Sequence, residues 1–482
     1  MNTVIPDFTP LIPEIFVFSM ACLILMVSVF SGAKNKYLSY WLTQITLVLA
    51  IWLSVSGISD STIHTFNHMF IQDLMGSVLK ITMYGILFVV FAYSGDYLKS
   101  RNMFQGEYFV LGLFGLVGMM VMVSAASMLT IYLGLELLSL SLYAMVALNR
   151  DSVRSTEAAM KYFILGAIAS GMLLYGMSMI YGMTGTLDIQ QIRAAVAALG
   201  PDNLILVFGL VFVVVGLAFK LGAVPFHMWI PDVYDGAPTA VVTYISSAPK
   251  LAAFAMVMRL LVGGLESLAV SWQDMLVILA LLSMGLGNVV AIAQTSIKRM
   301  LAYSAISHMG FFMLGIISTS NNGYSSAMFY VMVYAVMSMG AFGLLTVLSG
   351  KGADIEDIAD LKGLNQRHPW YAALMLLFMF SMAGVPPTFG FYAKLLVVQS
   401  VVEADMIWLA IAAVLLAVVG AYYYLRVIKV MYFDSADDLP RLSTVRPEIS
   451  GLLSINAISL VVMLPFVGWM IELCRRAIAG LV

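Results

Sequence analysis

The sequence is poor in charge. Of 482 residues only 10% are Asp, Glu, Lys or Arg, less than half the roughly 25% of a soluble globular chain, so it lacks the groups that wet a surface. It has two cysteines, Cys22 and Cys474, each inside or at the edge of an apolar run. Two thiols supply neither a four-cysteine zinc or iron–sulfur site nor a disulfide framework, and both read as packing residues. A formal charge of −2 gives no attraction for a polyanion, hence no argument for nucleic acid. The first apolar run has no basic stretch before it and no small-residue cleavage site after it, which marks a retained helix rather than a signal peptide. Short alternating runs are missing too, which excludes a β-barrel.

What is present is apolar sequence throughout. The hydrophobic share is 62% and the mean hydropathy +0.97 over the whole length, so the excess is not confined to one anchor. About 20 apolar residues cross a bilayer, and about fourteen runs of that order are found, at 11–30, 40–57, 70–93, 108–124, 126–148, 158–182, 203–231, 238–262, 272–293, 300–319, 324–349, 369–401, 404–430 and 451–475. The fold class is an all-α polytopic membrane protein. Nearly every second loop carries basic residues: Lys34 and Lys36, Lys99 and Arg101, Arg150 and Arg154, Lys298 and Arg299, Lys351, Lys362 and Arg367, then Lys429, Arg441 and Arg446. The alternate loops hold Asp60, Asp188, Glu266, Glu403 and Asp405, with Arg193 and the Arg475–Arg476 pair as exceptions. Positive loops stay inside, so both termini are predicted on the outer side.

Two spans are anomalous in one way. The seventh reads FKLGAVPFHMWIPDVY and the twelfth FSMAGVPPTFGFYAKLL; each is too long for one straight span and carries proline near its middle. Proline removes a backbone donor and clashes with the preceding turn, so each helix is predicted to break. Pro225 and Pro386 lie 161 positions apart, and spans four and nine start 164 apart. These offsets predict a five-helix unit at 108–263, repeated at 264–432, after an N-terminal three-helix unit (1–107) and before a last helix (433–482). Five crossings are odd, so the second copy is inverted, and paired broken helices in inverted repeats mark an ion path in transporters. The plain alternative is two packed proline kinks.

Charges inside spans form a short list. Glu136 sits mid-span in IYLGLELLSLSLYAM; Lys220 precedes the first break and His227 follows it; Lys250 is central in span eight, His308 in span ten, and Lys394 follows the second break. One charge at the bilayer centre costs about 2.5–3.5 kcal/mol, so Glu136 and the three lysines together cost about 10 kcal/mol unless paired, hydrated or neutral. A Glu–Lys pair can simply hold helices together, and a lone histidine is often a packing residue. Lys298 and Arg299 read as anchors at the start of span ten, with a relay role open to Lys298. Glu157 and Lys161 form a helical surface pair; Gly112, Gly115 and Gly118 read as close helix packing, and Tyr422–Tyr424 as lipid-facing or core filler. Three central lysines in separate helices have no comparable structural explanation. Burial brings a lysine into the range where it exchanges protons near neutrality. At an effective dielectric of about 20, moving a carboxylate from about 4 to 10 Å changes its pull by about 2.5 kcal/mol. A shift of Glu136 relative to Lys220 is therefore enough to drive a pump step.

On these residues the chain resembles the antiporter-like membrane subunits of the proton-translocating NADH–quinone oxidoreductase, respiratory complex I. The segments carrying the resemblance are YLGLELLSLSLYAM, STEAAMKYFILGA, FKLGAVPFHMWIPDVYDGAPTAV, SAPKLAAFAMVMRLL, TSIKRMLAYSAISHMGF and AGVPPTFGFYAKL. The PDVYDGAP stretch and a lysine at Lys394 favour the N type over the M type, and no long lateral C-terminal helix marks the L type. The resemblance implies that Glu136, Lys220, Lys250 and Lys394 transfer protons, with His227, Lys298 and His308 as relay candidates. It also implies a translocase subunit of a bacterial inner membrane, its partners being other membrane-arm subunits (M-type and small ones) and the lipid bilayer. NADH, FMN, iron–sulfur clusters and quinone are used by the whole complex, and no cofactor or metal is expected on this chain. Two other readings stay open: a cation–proton antiporter subunit of the Mrp type, and a structural membrane subunit whose charges only hold helices together.

Overall fold

A computed structural model describes residues 6–31, 36–59, 61–349, 354–435 and 445–480. Of the orientation charges, Lys34, Asp60, Lys351 and Arg441 lie outside the described residues, as does the Lys36 side chain. The N-terminal unit is α1 (Ile12–Ser31), α2 (Lys36–Ser56), a hairpin of β1 (Ile63–Thr65) and β2 (Phe70–Gln72), and α3 (Leu74–Ser100). Then come α4 (Gly106–Val123), α5 (Met128–Val146), α6 (Val153–Thr184) and an amphipathic surface helix, α7 (Ile189–Leu199). Span seven is α8 (Leu204–Leu221) plus α9 (Trp229–Gly236). Span eight is α10 (Thr239–Ile245), α11 (Ala248–Val257) and a π-helical turn, Met258–Gly264. The second unit holds α12 (Ala269–Ala293), α13 (Ile297–Ile317), α14 (Asn321–Leu348), the short α15 (Leu364–Arg367), α16 (Pro369–Ala383), α17 (Phe389–Glu403) and α18 (Ile407–Phe433). The chain ends in α19 (Pro447–Val462) and α20 (Val467–Ala479).

Among the described residues twelve helices are long and apolar enough to cross a bilayer, and α19 together with Leu464–Ala479 makes a thirteenth, bent by 56°. Span twelve escapes such a length test because its halves have 15 residues each. Three expectations need correction. The third span starts at Leu74, since 70–72 pair as a strand. Span eight is interrupted at Ser246–Ser247, where no proline-centred anomaly announced it. The last span, read as one run at 451–475, starts at Pro447 and is broken by a bend before Leu464.

Local chemistry starts the helices. Asp73, Ser152, Asp188, Asn203, Ser296 and Ser320 each accept a first-turn N–H, as N-caps do. Two helix pairs meet in the same way. A side chain at Gly118 would run into the α5 backbone at Gly134 and Leu138, and one at Gly310 into α12 at Ala280 and Met284. Only glycine lets α4 lie on α5, and α13 on α12, at this separation. Span eight and α13 are wrapped by protein along almost their whole length, as helices apolar all round must be. They are the helices that carry Lys250 and His308.

Candidate functional site

Both broken helices stop by one device. Gly222 and Gly384 adopt positive φ, +79° and +85°. Their N–H groups and those of Ala223 and Val385 fold back on Ala218 and Phe219, and on Phe380 and Ser381. This is the Schellman arrangement, which here serves the fourth- and third-last carbonyls of each helix. Carbonyls nearer the end remain orphaned, and at both breaks a lysine takes them. Lys250 Nζ donates to Leu221 O at 2.8 Å; Lys394 Nζ donates to Met382 O at 2.9 Å and Ala383 O at 3.0 Å. The end of a helix carries roughly half a negative charge, so each ammonium rests where the backbone is most negative.

Lys220, in the last turn of α8, points into a different space. With Glu136, Ser139, Tyr162, Ser170 and Phe219 it lines a cavity of about 20 Å³, which admits one water. Lys220 Nζ donates to Ser139 Oγ at 3.3 Å, and the Ser170 hydroxyl binds Glu136 Oε1. Glu136 and Ser139 are three apart on α5 and so share a face. Acid and amine are brought to one cavity, but no direct ion pair joins them; two serines intervene. Trp229 touches two residues of the cavity wall and also Lys250. Its ring stacks on Tyr162 at 4.5 Å, its N–H reaches Phe219 O at 3.0 Å, and Lys250 Nζ lies 5.8 Å from its centre.

His308 is buried, and both its ring nitrogens meet tyrosine hydroxyls, Nδ1 with Tyr330 at 2.6 Å and Nε2 with Tyr424 at 3.1 Å. Tyr424 also binds Ser304, and Tyr423 donates to Asn288 at 3.1 Å. Of the Tyr422–Tyr424 cluster, read as lipid-facing or core filler, only Tyr422 is exposed; the other two are buried and hydrogen-bonded. Lys394 Nζ lies 5.0 Å from the ring of Phe311, one turn along α13 from His308. His227 sits in the first break, its ring 6.5 Å from Tyr303, and is not brought to Lys220 by any hydrogen bond.

Lys298 is buried rather than a surface anchor, and Arg299 pairs with Asp232 at 3.1 Å. Around them runs a chain of ion pairs: Lys161 with Glu157 and Asp232, Arg154 with Asp235 and Glu356. Asp232 and Asp235 thus tie α9 to α6 and α13. Sequence reading also missed two buried ion pairs. Lys80–Glu14 lies at 2.5 Å and Arg259–Asp73 at 2.6 Å, all four side chains less than a tenth exposed. Each partner sits within about two turns of a helix end, so nothing in the sequence distinguished it from an interfacial charge. Among the described residues no group of three or more His, Cys, Asp or Glu could hold a metal ion.

Residues 125–420 match the family described as NADH:quinone oxidoreductase/Mrp antiporter, TM. The chain is 56% identical over 480 residues to NADH-quinone oxidoreductase subunit N of Thioalkalivibrio sulfidiphilus, covering 99% of this chain and 100% of that one. It is 52% identical to the protein of the same name in Nitrosomonas europaea, covering 99% of each. Among solved structures, a chain of respiratory complex I from Thermus thermophilus superposes with a TM-score of 0.82 at 26% identity, over 96% of this chain and 99% of that one. A chain of the Mrp complex from Dietzia superposes with a TM-score of 0.83 at 18% identity, over 97% of each, a likeness of fold.

Proposed function

The chain belongs to the N-subunit branch of the NADH:quinone oxidoreductase/Mrp antiporter family, and from that premise we propose that Glu136, Lys220, Lys250 and Lys394 form its proton path. It is a multi-pass inner-membrane subunit of a translocase, in which redox chemistry elsewhere in the complex is coupled to proton translocation, and it associates with other membrane-arm subunits. Finer points belong to the proposal: the termini face outward, the neighbours include an M-type antiporter-like subunit and small membrane subunits, and the five-span units 108–263 and 264–432 each contribute half a channel.

The observation that carries the reading is the pair of lysines set on the open ends of two half-helices. An ammonium placed there is held by backbone carbonyls that have no other partner; a neutral amine is held far less. Loading and unloading of each lysine is then tied to the position of the half-helix it rests on. Lys220 receives its proton beside Glu136, through Ser139 and the water-sized cavity. Passage to Lys250 runs beside the indole of Trp229, which touches Tyr162, Phe219 and Lys250. His308, between Tyr330 and Tyr424, is the station next to Lys394, with Lys298 and His227 at the edges of the path. Redox-driven proton uptake in membranes, normalised to assembled complex, tests this. Lys250→Arg and Lys394→Arg should both lower it, and full pumping by both variants would remove the path.

A further inference from the structure

The two breaks differ by one donor. Counted from the turning glycine, Gly222-Ala223-Val224-Pro225 corresponds to Gly384-Val385-Pro386-Pro387. The third position is valine at the first break and proline at the second, and proline has no N–H to satisfy. The second break is closed from within its own span: the Thr388 hydroxyl donates to Val385 O at 2.7 Å, and Gly390 N donates to Ser381 Oγ at 3.1 Å. Val224 is buried, so its N–H requires an acceptor, and that acceptor comes from a different span. It donates to Ser283 Oγ of α12 at 2.9 Å, and Ser283 is wholly buried. Leu221, whose carbonyl holds Lys250, is three residues before Val224. Five residues further along α12, about 7.5 Å of helix, Asn288 donates to Leu416 O at 2.8 Å and accepts from Tyr423 at 3.1 Å. The Tyr423 ring lies 4.3 Å from that of Tyr424, the partner of His308 Nε2. Helix α12 thus grips the first break at one point and the histidine cluster at another.

We propose that Ser283 is a positioning residue: through Val224 it fixes the end of α8 on which Lys250 rests, and so ties that resting place to the packing around His308 and Tyr424. The inference rests on Lys250 being a proton station. Ser283 acts through the backbone and transfers no proton itself. With the Val224 N–H held, the chain leaving the Gly222 turn has one course, and Leu221 O faces the amine. Without the hydroxyl the buried N–H must turn toward another partner, because leaving it unpaired is costly. The planar peptide units before it turn with it, and the carbonyl leaves the amine. At the second break the proline ring supplies the restraint that the hydroxyl supplies at the first. A serine that merely satisfied a donor would cost stability and leave the assembled complex pumping, so the two roles separate experimentally.

The experiment has two arms, both on the assembled complex. In the first, hydrogen–deuterium exchange is followed without turnover in peptides covering 221–229. Exchange there should rise by about tenfold in Ser283→Ala, whose unpaired donor opens more readily. It should keep the wild-type rate in Ser283→Thr, which retains the hydroxyl. Ser325→Ala is the control, since that hydroxyl donates to Asn321 O of its own helix at 2.6 Å. Wild-type exchange in Ser283→Ala overturns the link. The second arm measures redox-driven proton uptake per assembled complex. Ser283→Ala should lower it by about tenfold, Ser283→Thr should restore it, and adding Ser283→Ala to Lys250→Arg should cause no further loss. Wild-type uptake in Ser283→Ala beside a deficient Lys250→Arg would overturn the positioning role and leave the lysine path standing. A further loss on top of Lys250→Arg would overturn it too, by showing that Ser283 acts elsewhere. Full uptake by Lys250→Arg would instead remove the lysine reading, and this inference with it.

Discussion

Lys394 holds at the end of α16 the place that Lys250 holds at the end of α8. Both reach it from another helix segment, Lys250 from span eight and Lys394 from beyond its own break. Gly222 and Gly384 make this possible by turning the backbone so that the last carbonyls stay free and face the amine. The match is one of chemistry, since each amine takes the carbonyls that end a half-helix.

The first prediction follows from that geometry. Arginine keeps the charge at 250 or 394 but titrates above about 12 and presents a planar fork where a compact ammonium sat. Lys250→Arg and Lys394→Arg should assemble, while proton flux falls by about 10²-fold, the lower end of the effect of removing a positioned proton-transfer group. Histidine, which titrates near about 6.5, should restore more than arginine at one of the two sites. Proton uptake per assembled complex is the readout.

Glu136 makes the second case. Glu136→Gln keeps an oxygen for the Ser170 hydroxyl and occupies the same volume, but removes the charge beside Lys220. Quinone reduction coupled to pumping should fall with assembly intact, and Glu136→Asp should retain more of it. Ser139→Ala should lower the rate less than Glu136→Gln, because the cavity water can replace one hydroxyl. Equal activity of Glu136→Gln and wild type would end the role of this carboxylate.

A third expectation concerns the turns. At Gly384 a side chain would sit in the left-handed region and press on Lys394 Cδ at 2.9 Å. The backbone term alone costs about 1–2 kcal/mol. Gly384→Ala should therefore lower the unfolding temperature modestly and pumping sharply, since the clash displaces the lysine. Gly451→Ala, with open space around it, is the control that should change neither.

Tyr424→Phe is the fourth. It removes the partner of His308 Nε2 and of Ser304 at a cost of about 1–3 kcal/mol for buried polar groups left unpaired. Pumping should fall, while Tyr422→Phe, exposed in the described chain, should be silent. Steady-state pumping alongside thermal stability separates loss of relay from loss of fold.

Much of this was legible beforehand, and the reasons are physical. Mid-span charges are costly enough that Glu136, Lys220, Lys250, His308 and Lys394 stand out in a sequence this apolar, and proline marks both breaks. The spans themselves were readable because apolar length is what a bilayer selects, while their limits shifted by several residues, as at Leu74. What sequence could not give was partnership. The carbonyls that hold Lys250 and Lys394 belong to backbone, which has no signature in residue type. Ser139 and Ser170 look like any serines of an apolar helix, and Tyr424 differs from Tyr422 only by which face of α18 it occupies. The interruption at Ser246–Ser247 carries no proline at its centre, and Pro249, two residues on, sits in the first turn of α11 where proline is tolerated.

The last prediction concerns Arg259, on the π-helical turn that ends span eight. Its guanidinium pairs with Asp73 and also reaches Val123 O at 3.0 Å, so one side chain ties the start of α3 to the end of α4. Asp73 in turn caps α3 by accepting from Gly76 N at 2.8 Å. Removing the arginine alone leaves a buried carboxylate without its cation, which costs about 3–5 kcal/mol. Arg259→Met should thus be the most destabilising single change here. Asp73→Asn keeps the cap and leaves the guanidinium one carbonyl partner, so it should cost less. The double variant removes both charges and leaves chiefly the Val123 carbonyl unpaired, a loss of about 1–3 kcal/mol. Its melting temperature should therefore lie above that of Arg259→Met although it carries one more substitution. Thermal unfolding of the purified complex, followed by loss of this chain from the assembly, measures all three. A double variant less stable than Arg259→Met would show that Asp73 and Arg259 contribute separately, and that the ion pair is not what joins these helices.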